Sequence, residues 1–158
     1  MRKRVISPSS REAATPEPQW LDVEKLAQVE VTSEDSEHPV ESALLPGEES
    51  GWRAAQPGEQ TIRLLFDRPQ RLSRVWLLFI ERDRARTQEF VLRWSSDGGR
   101  SFREILRQQW NFAPPGTVRE PEDYRVELSG VTVLELTIVP DKSGGDARAS
   151  LAQCRLAG

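Results

Sequence analysis

From residue 27 onward, apolar and polar positions alternate with a period of two. Gln28-Val29-Glu30-Val31-Thr32 does so, and so does Thr61-Ile62-Arg63-Leu64-Leu65-Phe66. Successive side chains of a strand point to opposite faces, so this alternation predicts strands with one face buried. The stretch 72–80 contains Val75-Trp76-Leu77-Leu78-Phe79, an apolar run that predicts a strand covered on both sides. Further strands are expected over 89–95, 101–106, 124–128, 131–139 and 149–156. β-branched and aromatic runs that recur at this spacing, with turn residues between them, are the pattern of an antiparallel β-sandwich.

The turns agree with the strands. Ser96-Asp97-Gly98-Gly99 predicts a hairpin, and Ser129-Gly130 predicts a second turn between two later strands. Ala113-Pro114-Pro115-Gly116 predicts a surface loop. Helical periodicity is confined to one short turn at Pro39-Val40-Glu41-Ser42-Ala43-Leu44. Residues 1–19 hold Pro, Ser and charged residues with almost nothing to bury, so they are expected to form a flexible polar tail on a domain spanning 20–158. Trp20 is expected to tuck against that domain.

Composition narrows the function classes. A net charge of −3 and a pI near 5.4 argue against a nucleic-acid binder working through a general positive field. The single cysteine, Cys154, rules out an internal disulfide and is expected to be a small buried hydrophobe. The basic start Met1-Arg2-Lys3-Arg4 is followed by no apolar segment, and no stretch is long enough to span a bilayer. The location stays open, with a cytoplasmic one favoured by these features, and a monomer is the expectation.

Three ordered segments resemble the discoidin, or coagulation-factor type-C, domain family. The first is His38-Pro39-Val40-Glu41-Ser42-Ala43-Leu44 with the loop leading to Gly51-Trp52-Arg53; the second is the stretch 61–79. The third runs from Phe90-Val91-Leu92-Arg93-Trp94 through Ser95-Ser96-Asp97-Gly98-Gly99 to Phe102-Arg103-Glu104-Ile105. The resemblance implies a galactose-binding-like jelly roll whose loops at one end hold a ligand. A shorter stretch, 51–62, is similar to a segment in a eukaryotic single-strand-break repair scaffold that has this fold.

Relatives often hold a structural Ca²⁺ through loop oxygens before the Trp and a carboxylate near the C-terminus. Here the acidic loop character is changed, and Gln153 stands where relatives commonly place Glu. The residues left for a metal are Glu48 and Glu49 with backbone carbonyls, and the expectation is that no cofactor is required.

Catalytic chemistry is poorly provided for. His38 is the only histidine, so a His-based triad depends on it alone. The paired acids Glu48 with Glu49, and Glu120 with Glu122 and Asp123, lie in polar surroundings that would not raise a pKa. A non-enzymatic ligand-binding module is therefore expected. Its candidate contacts are His38, the arginines Arg82, Arg84 and Arg86, and the loop residues Trp110, Asn111 and Phe112. Guanidinium forks suit hydroxyls and carboxylates, and aromatic faces suit sugar rings. The expected partner is a carbohydrate, with a protein partner and a scaffold role as the alternative. Trp52, Trp76 and Trp94 are expected in the core, and closing the bottom of the core is the alternative role for Trp110 and Phe112.

Overall fold

The computed structural model describes residues 19–46 and 50–158. Among these residues, two single-turn helices, α1 (Val23–Leu26) and α2 (Glu41–Leu44), accompany eight strands. These are β1 (Ala27–Val31), β2 (Trp52–Pro57), β3 (Gln60–Ile80), β4 (Arg86–Ser95), β5 (Arg103–Phe112), β6 (Arg119–Val139), β7 (Arg148–Leu151) and β8 (Gln153–Ala157). The main sheet runs β1-β3-β6-β4-β5 with β8 also on β3, and β2 and β7 form a separate antiparallel pair.

Two long strands make the layers. The first half of β3 pairs with β1 and with the second half of β6, through Ile62↔Leu136 and Leu64↔Leu134. Its second half pairs with β8 and with the first half of β6, through Leu77↔Cys154 and Leu77↔Glu122. Register shifts between Leu65 and Arg74 mark the corner where both strands pass from one layer to the other. The expected turn at Ser129-Gly130 is part of that corner: β6 runs through it, with Gly130 at φ 69°. A bulged corner and a tight turn both need a left-handed residue, so sequence alone does not separate them.

The core fills the space between the layers. Ile62, Leu64, Leu72, Val75, Leu77, Phe90, Leu92, Leu136, Ile138, Leu151 and Leu156 are all buried in one cluster. Phe79 meets Phe90 across the interior with ring centroids 5.1 Å apart. The residual void inside is about 20 Å³, roughly the space of one water, so nothing drug-sized fits between the sheets. Trp52 is fully buried, as expected, whereas Trp76 and Trp94 are only half-buried. Cys154 is buried, and desolvation pushes its thiol up to about 12, which keeps it neutral.

The hairpin at Ser96–Gly99 forms as expected, with Gly98 and Gly99 at positive φ. Asp97 accepts hydrogen bonds from Ser101 and Ser95 hydroxyls, which hold its carboxyl far below the usual range. Trp20 bridges to Ala157 and lies under the Arg74 guanidinium at 5.2 Å, so it tucks against the domain while staying partly exposed. The rest of the expected tail lies outside the described residues, apart from Gln19. No helix among the described residues is long and apolar enough to cross a membrane.

Candidate functional site

At one rim, the loop after β1, the loop after β3 and strand β7 enclose a cleft of about 290 Å³. The chain reaches this arrangement by threading β2 through the first loop. Trp52 buries its ring and donates from Nε1 to the Ser33 carbonyl (3.0 Å). Asp35 N donates to the Arg53 carbonyl (2.8 Å), and Arg53 N to the His38 carbonyl (3.1 Å). His38 and Arg53 are thereby held side by side on backbone bonds. Opposite them, Ala152 N donates to the Leu78 carbonyl (2.8 Å), tying the β7–β8 junction to β3.

Gly51 lets the strands approach. Its φ is 62°, and a Cβ there would stand 2.2 Å from the Leu151 carbonyl oxygen. Only glycine fits both conditions.

Into the cleft face His38, Ser50, Arg53, Arg82, Arg148 and Ser150, with Glu81 and Asp83 on the same wall. The Nδ1 atom of His38 is buried without a hydrogen-bond partner. A second cleft of about 330 Å³ continues from the first, sharing Arg53, Glu81, Asp83 and Arg148 and adding Arg84 and Asp146. Arg84 Nη1 donates to Asp146 Oδ1 at 2.8 Å; that bond lowers the Asp146 pKa and raises that of Arg84.

The structure divides the sequence candidates into three groups. His38 and Arg82 share the first cleft, and Arg84 lines the second. Arg86 and Phe112 are inside the protein instead. The Arg86 side chain is 1% exposed, donates to Glu81 (2.7 Å), Gln88 (3.1 Å) and the Pro140 carbonyl (2.6 Å), and lies over the Phe112 ring. Both side chains are largely buried at a strand end, and what each still shows lines a hollow of about 650 Å³ that Asn111 shares.

Trp110 and Asn111 lie next to Arg86 and Phe112, at the end of β5. The expected loop over 109–113 is the end of strand β5, paired with β4 through Gln88↔Trp110 and Thr87↔Asn111. Trp110 is 36% exposed and lines a shallow hollow of about 440 Å³ with Gln109, Asn111 and Thr117. That hollow has no lining residue in common with the arginine-lined clefts. Asn111 is already engaged, accepting from Thr87 Oγ1 at 2.7 Å.

Sequence reasoning missed Arg53, Arg148 and Ser150. A signal for two of them was present: Arg53 stands between buried Trp52 and Ala54, and Arg148 between buried Ala147 and Ala149. A charged residue between two buried neighbours on a strand must face outward.

Among the described residues, the loop that the resemblance implies for calcium offers a cation little to bind. Glu48 and Glu49 lie outside the described residues. In the described part of that loop, the carbonyls of Leu44 and Leu45 accept hydrogen bonds from Arg155 Nη1 (2.9 Å) and Nη2 (2.6 Å). Arg155 also donates to Gln153 Oε1, and Gln153 Nε2 reaches the Leu45 carbonyl at 3.5 Å. A guanidinium thus sits among loop carbonyls and a last-strand amide. A metal at those carbonyls would lie against a fixed positive charge, with an amide in place of a carboxylate. Among the described residues, no group of three His, Cys, Asp or Glu side chains could hold a metal.

No protein-family model matches the chain, and no curated protein matches it in sequence. Solved structures do. A family 32 carbohydrate-binding module of C. perfringens NanJ in complex with galactose superposes with a TM-score of 0.65 at 11% identity, covering 88% of this chain and 98% of that one. The family 32 module of AlyQ in complex with 4,5-unsaturated mannuronic acid gives 0.63 at 17% identity, covering 87% and 97%. XRCC1 bound to the DNA polymerase β catalytic domain gives 0.58 at 15%, covering 90% and 99%. At these identities the likeness is one of fold: the chain is an antiparallel β-sandwich of the kind seen in family 32 carbohydrate-binding modules.

Proposed function

We propose that this chain is a non-catalytic carbohydrate-binding module of discoidin type, holding a saccharide in the cleft between His38, Arg53, Arg82 and Arg148. One observation carries the reading: a concave rim site set on rigid strands, in which guanidinium forks, two serines and a histidine face the same space. Paired N–H donors on a fixed frame recognise vicinal hydroxyls by bidentate hydrogen bonds. Neighbours of the same fold bound to galactose and to an unsaturated mannuronic acid support a sugar as the ligand class.

The test is calorimetric titration against a saccharide panel, with Arg82→Ala and Arg53→Ala beside Trp110→Ala. Binding that is lost in the first two and kept in the third supports the cleft. A folded protein that binds no saccharide overturns the function. Binding that survives both arginine variants and disappears in Trp110→Ala overturns the site.

A second reading, a protein-interaction domain, rests on the hollow around Trp110. Strand β5 is a sheet edge and carries exposed Trp110, and an XRCC1 domain of this fold is seen in complex with a polymerase domain. An aromatic on an open edge is a common anchor for a partner chain. Specific capture of one protein by the wild type, lost in Trp110→Ala, would favour this reading over sugar binding.

A further inference from the structure

The arginine-lined clefts carry more positive charge than their own acids balance. Arg53, Arg82, Arg84 and Arg148 line them, against Glu81, Asp83 and Asp146. Two of the acids are already committed. Asp146 is bonded to Arg84, and Glu81 Oε1 accepts from Arg86, which lies outside both clefts. What remains is Arg53, Arg82 and Arg148 facing Asp83: three cations against one anion, a surplus of two positive charges. This surplus sits in a chain whose net charge is −3. Among the described residues, none of these three arginine side chains has an ion-pair or hydrogen-bond partner.

Their placement is set by backbone pairing. Arg53 stands directly opposite Ser150 in the β2–β7 ladder, and Arg148 lies two residues before Ser150 on the same face of β7. Arg82 comes from the other wall, two residues beyond the end of β3. Unpaired guanidinium groups gathered in one concavity focus a positive field there, while the rest of an acidic surface repels anions. Arginine forks match carboxylates in a bidentate way that neutral hydroxyls do not repay as strongly.

Resting on the sugar-binding reading above, we infer that the saccharide is an acidic one, a uronic-acid oligosaccharide whose carboxylate is held by Arg53, Arg82 and Arg148. The adjoining cleft gives the chain of sugars a path past Arg148. Together the two spaces fall in the range of about 300–1,000 Å³ usual for ligand sites.

The experiment uses the full chain in calorimetric titrations with three probes on one sugar skeleton: trigalacturonate, its methyl ester, and a neutral galactose trisaccharide. Trigalacturonate should bind at least about tenfold more tightly than the ester, the difference expected of one charge-assisted bidentate contact. Its affinity should fall as NaCl rises, since exposed charges are screened within about 8–10 Å at such ionic strengths. Arg148→Gln should erase the acid preference, and Asp83→Asn should enlarge it several-fold. Thermal melts confirm that each variant is folded.

Equal affinity for acid and ester, or binding of the neutral trisaccharide alone, overturns this inference and leaves the sugar-binding function standing. Competition by inorganic sulfate at the same concentration as trigalacturonate overturns it too, by showing a general anion site. If no member of the series binds to the folded chain, the sugar-binding reading falls with it.

Discussion

The guanidinium of Arg86 lies over the ring of Phe112, its central carbon 4.8 Å from the ring centroid, and both side chains are buried. Arg86 ↔ Phe112 is also a backbone register pair between β4 and β5. The contact closes the end of the sheet, with Glu81 supplying the counter-charge. Arg86→Ala should therefore destabilise the fold by about 3–5 kcal/mol, because it leaves a largely buried carboxylate without its partner. Urea denaturation would check this, and a loss below about 1 kcal/mol, the scale of an exposed ion pair, would show that Glu81 is solvated instead.

Arg155 gives a different prediction. Truncation to Ala leaves the Leu44 and Leu45 carbonyls without their donors, at a cost of about 2–4 kcal/mol. Added Ca²⁺ should not restore the loss, and a chelator should not move the melting temperature of the wild type. A wild type whose melting temperature drops on chelation would contradict the geometry.

Stability should respond to acid through Glu89. Hydrogen bonds from Lys142, Gln109 and Arg107 hold its carboxyl down to about 2, from an ordinary value of 4.5. A carboxyl whose folded pKa is depressed stabilises the fold in full above its unfolded value. That contribution is lost as pH falls from about 4.5 toward about 2. Glu89→Gln should narrow the difference in melting temperature between pH 6 and pH 3. Asp123, Asp141 and Asp146 are shifted the same way, so the variant keeps part of the acid response. An unchanged difference would mean that Glu89 titrates normally.

Gly51 and Gly58 separate two costs of a side chain. Both have positive φ, 62° and 90°. Gly58→Ala meets no atom within 4 Å, so it should cost only the conformational strain of about 1–2 kcal/mol. Gly51→Ala adds a collision with the Leu151 carbonyl and should cost clearly more, while also distorting the cleft floor. Equal losses in denaturation would show that the backbone at Gly51 relaxes without effort.

The sandwich is legible in the sequence because both layers leave one face in the core, which imposes period two on residues such as Ile62, Leu64, Leu134 and Leu136. The corner is not legible. Ser129-Gly130 reads as a turn because the residue types that end a strand also bend one. The site is half legible. His38 and Arg82 are recognisable as rim residues, whereas the fate of Arg86 depends on Pro140, 54 positions away, and no local pattern reports such a contact. Trp110 reads as a loop aromatic because the strand carrying it ends in Gln109-Trp110-Asn111-Phe112, a polar–aromatic mixture with little apolar alternation.

A protein that borrows a metal ion exists as two populations, loaded and empty, in proportions fixed by its surroundings. The cation that ties Leu44 and Leu45 to the last strand here belongs to Arg155 and is covalently part of the chain. Its stoichiometry is always one, and it cannot be drawn off by a polyanion that sequesters divalent ions in solution. Leu44 and Leu45 are therefore held in the same state whatever the ligand does to the ions around them.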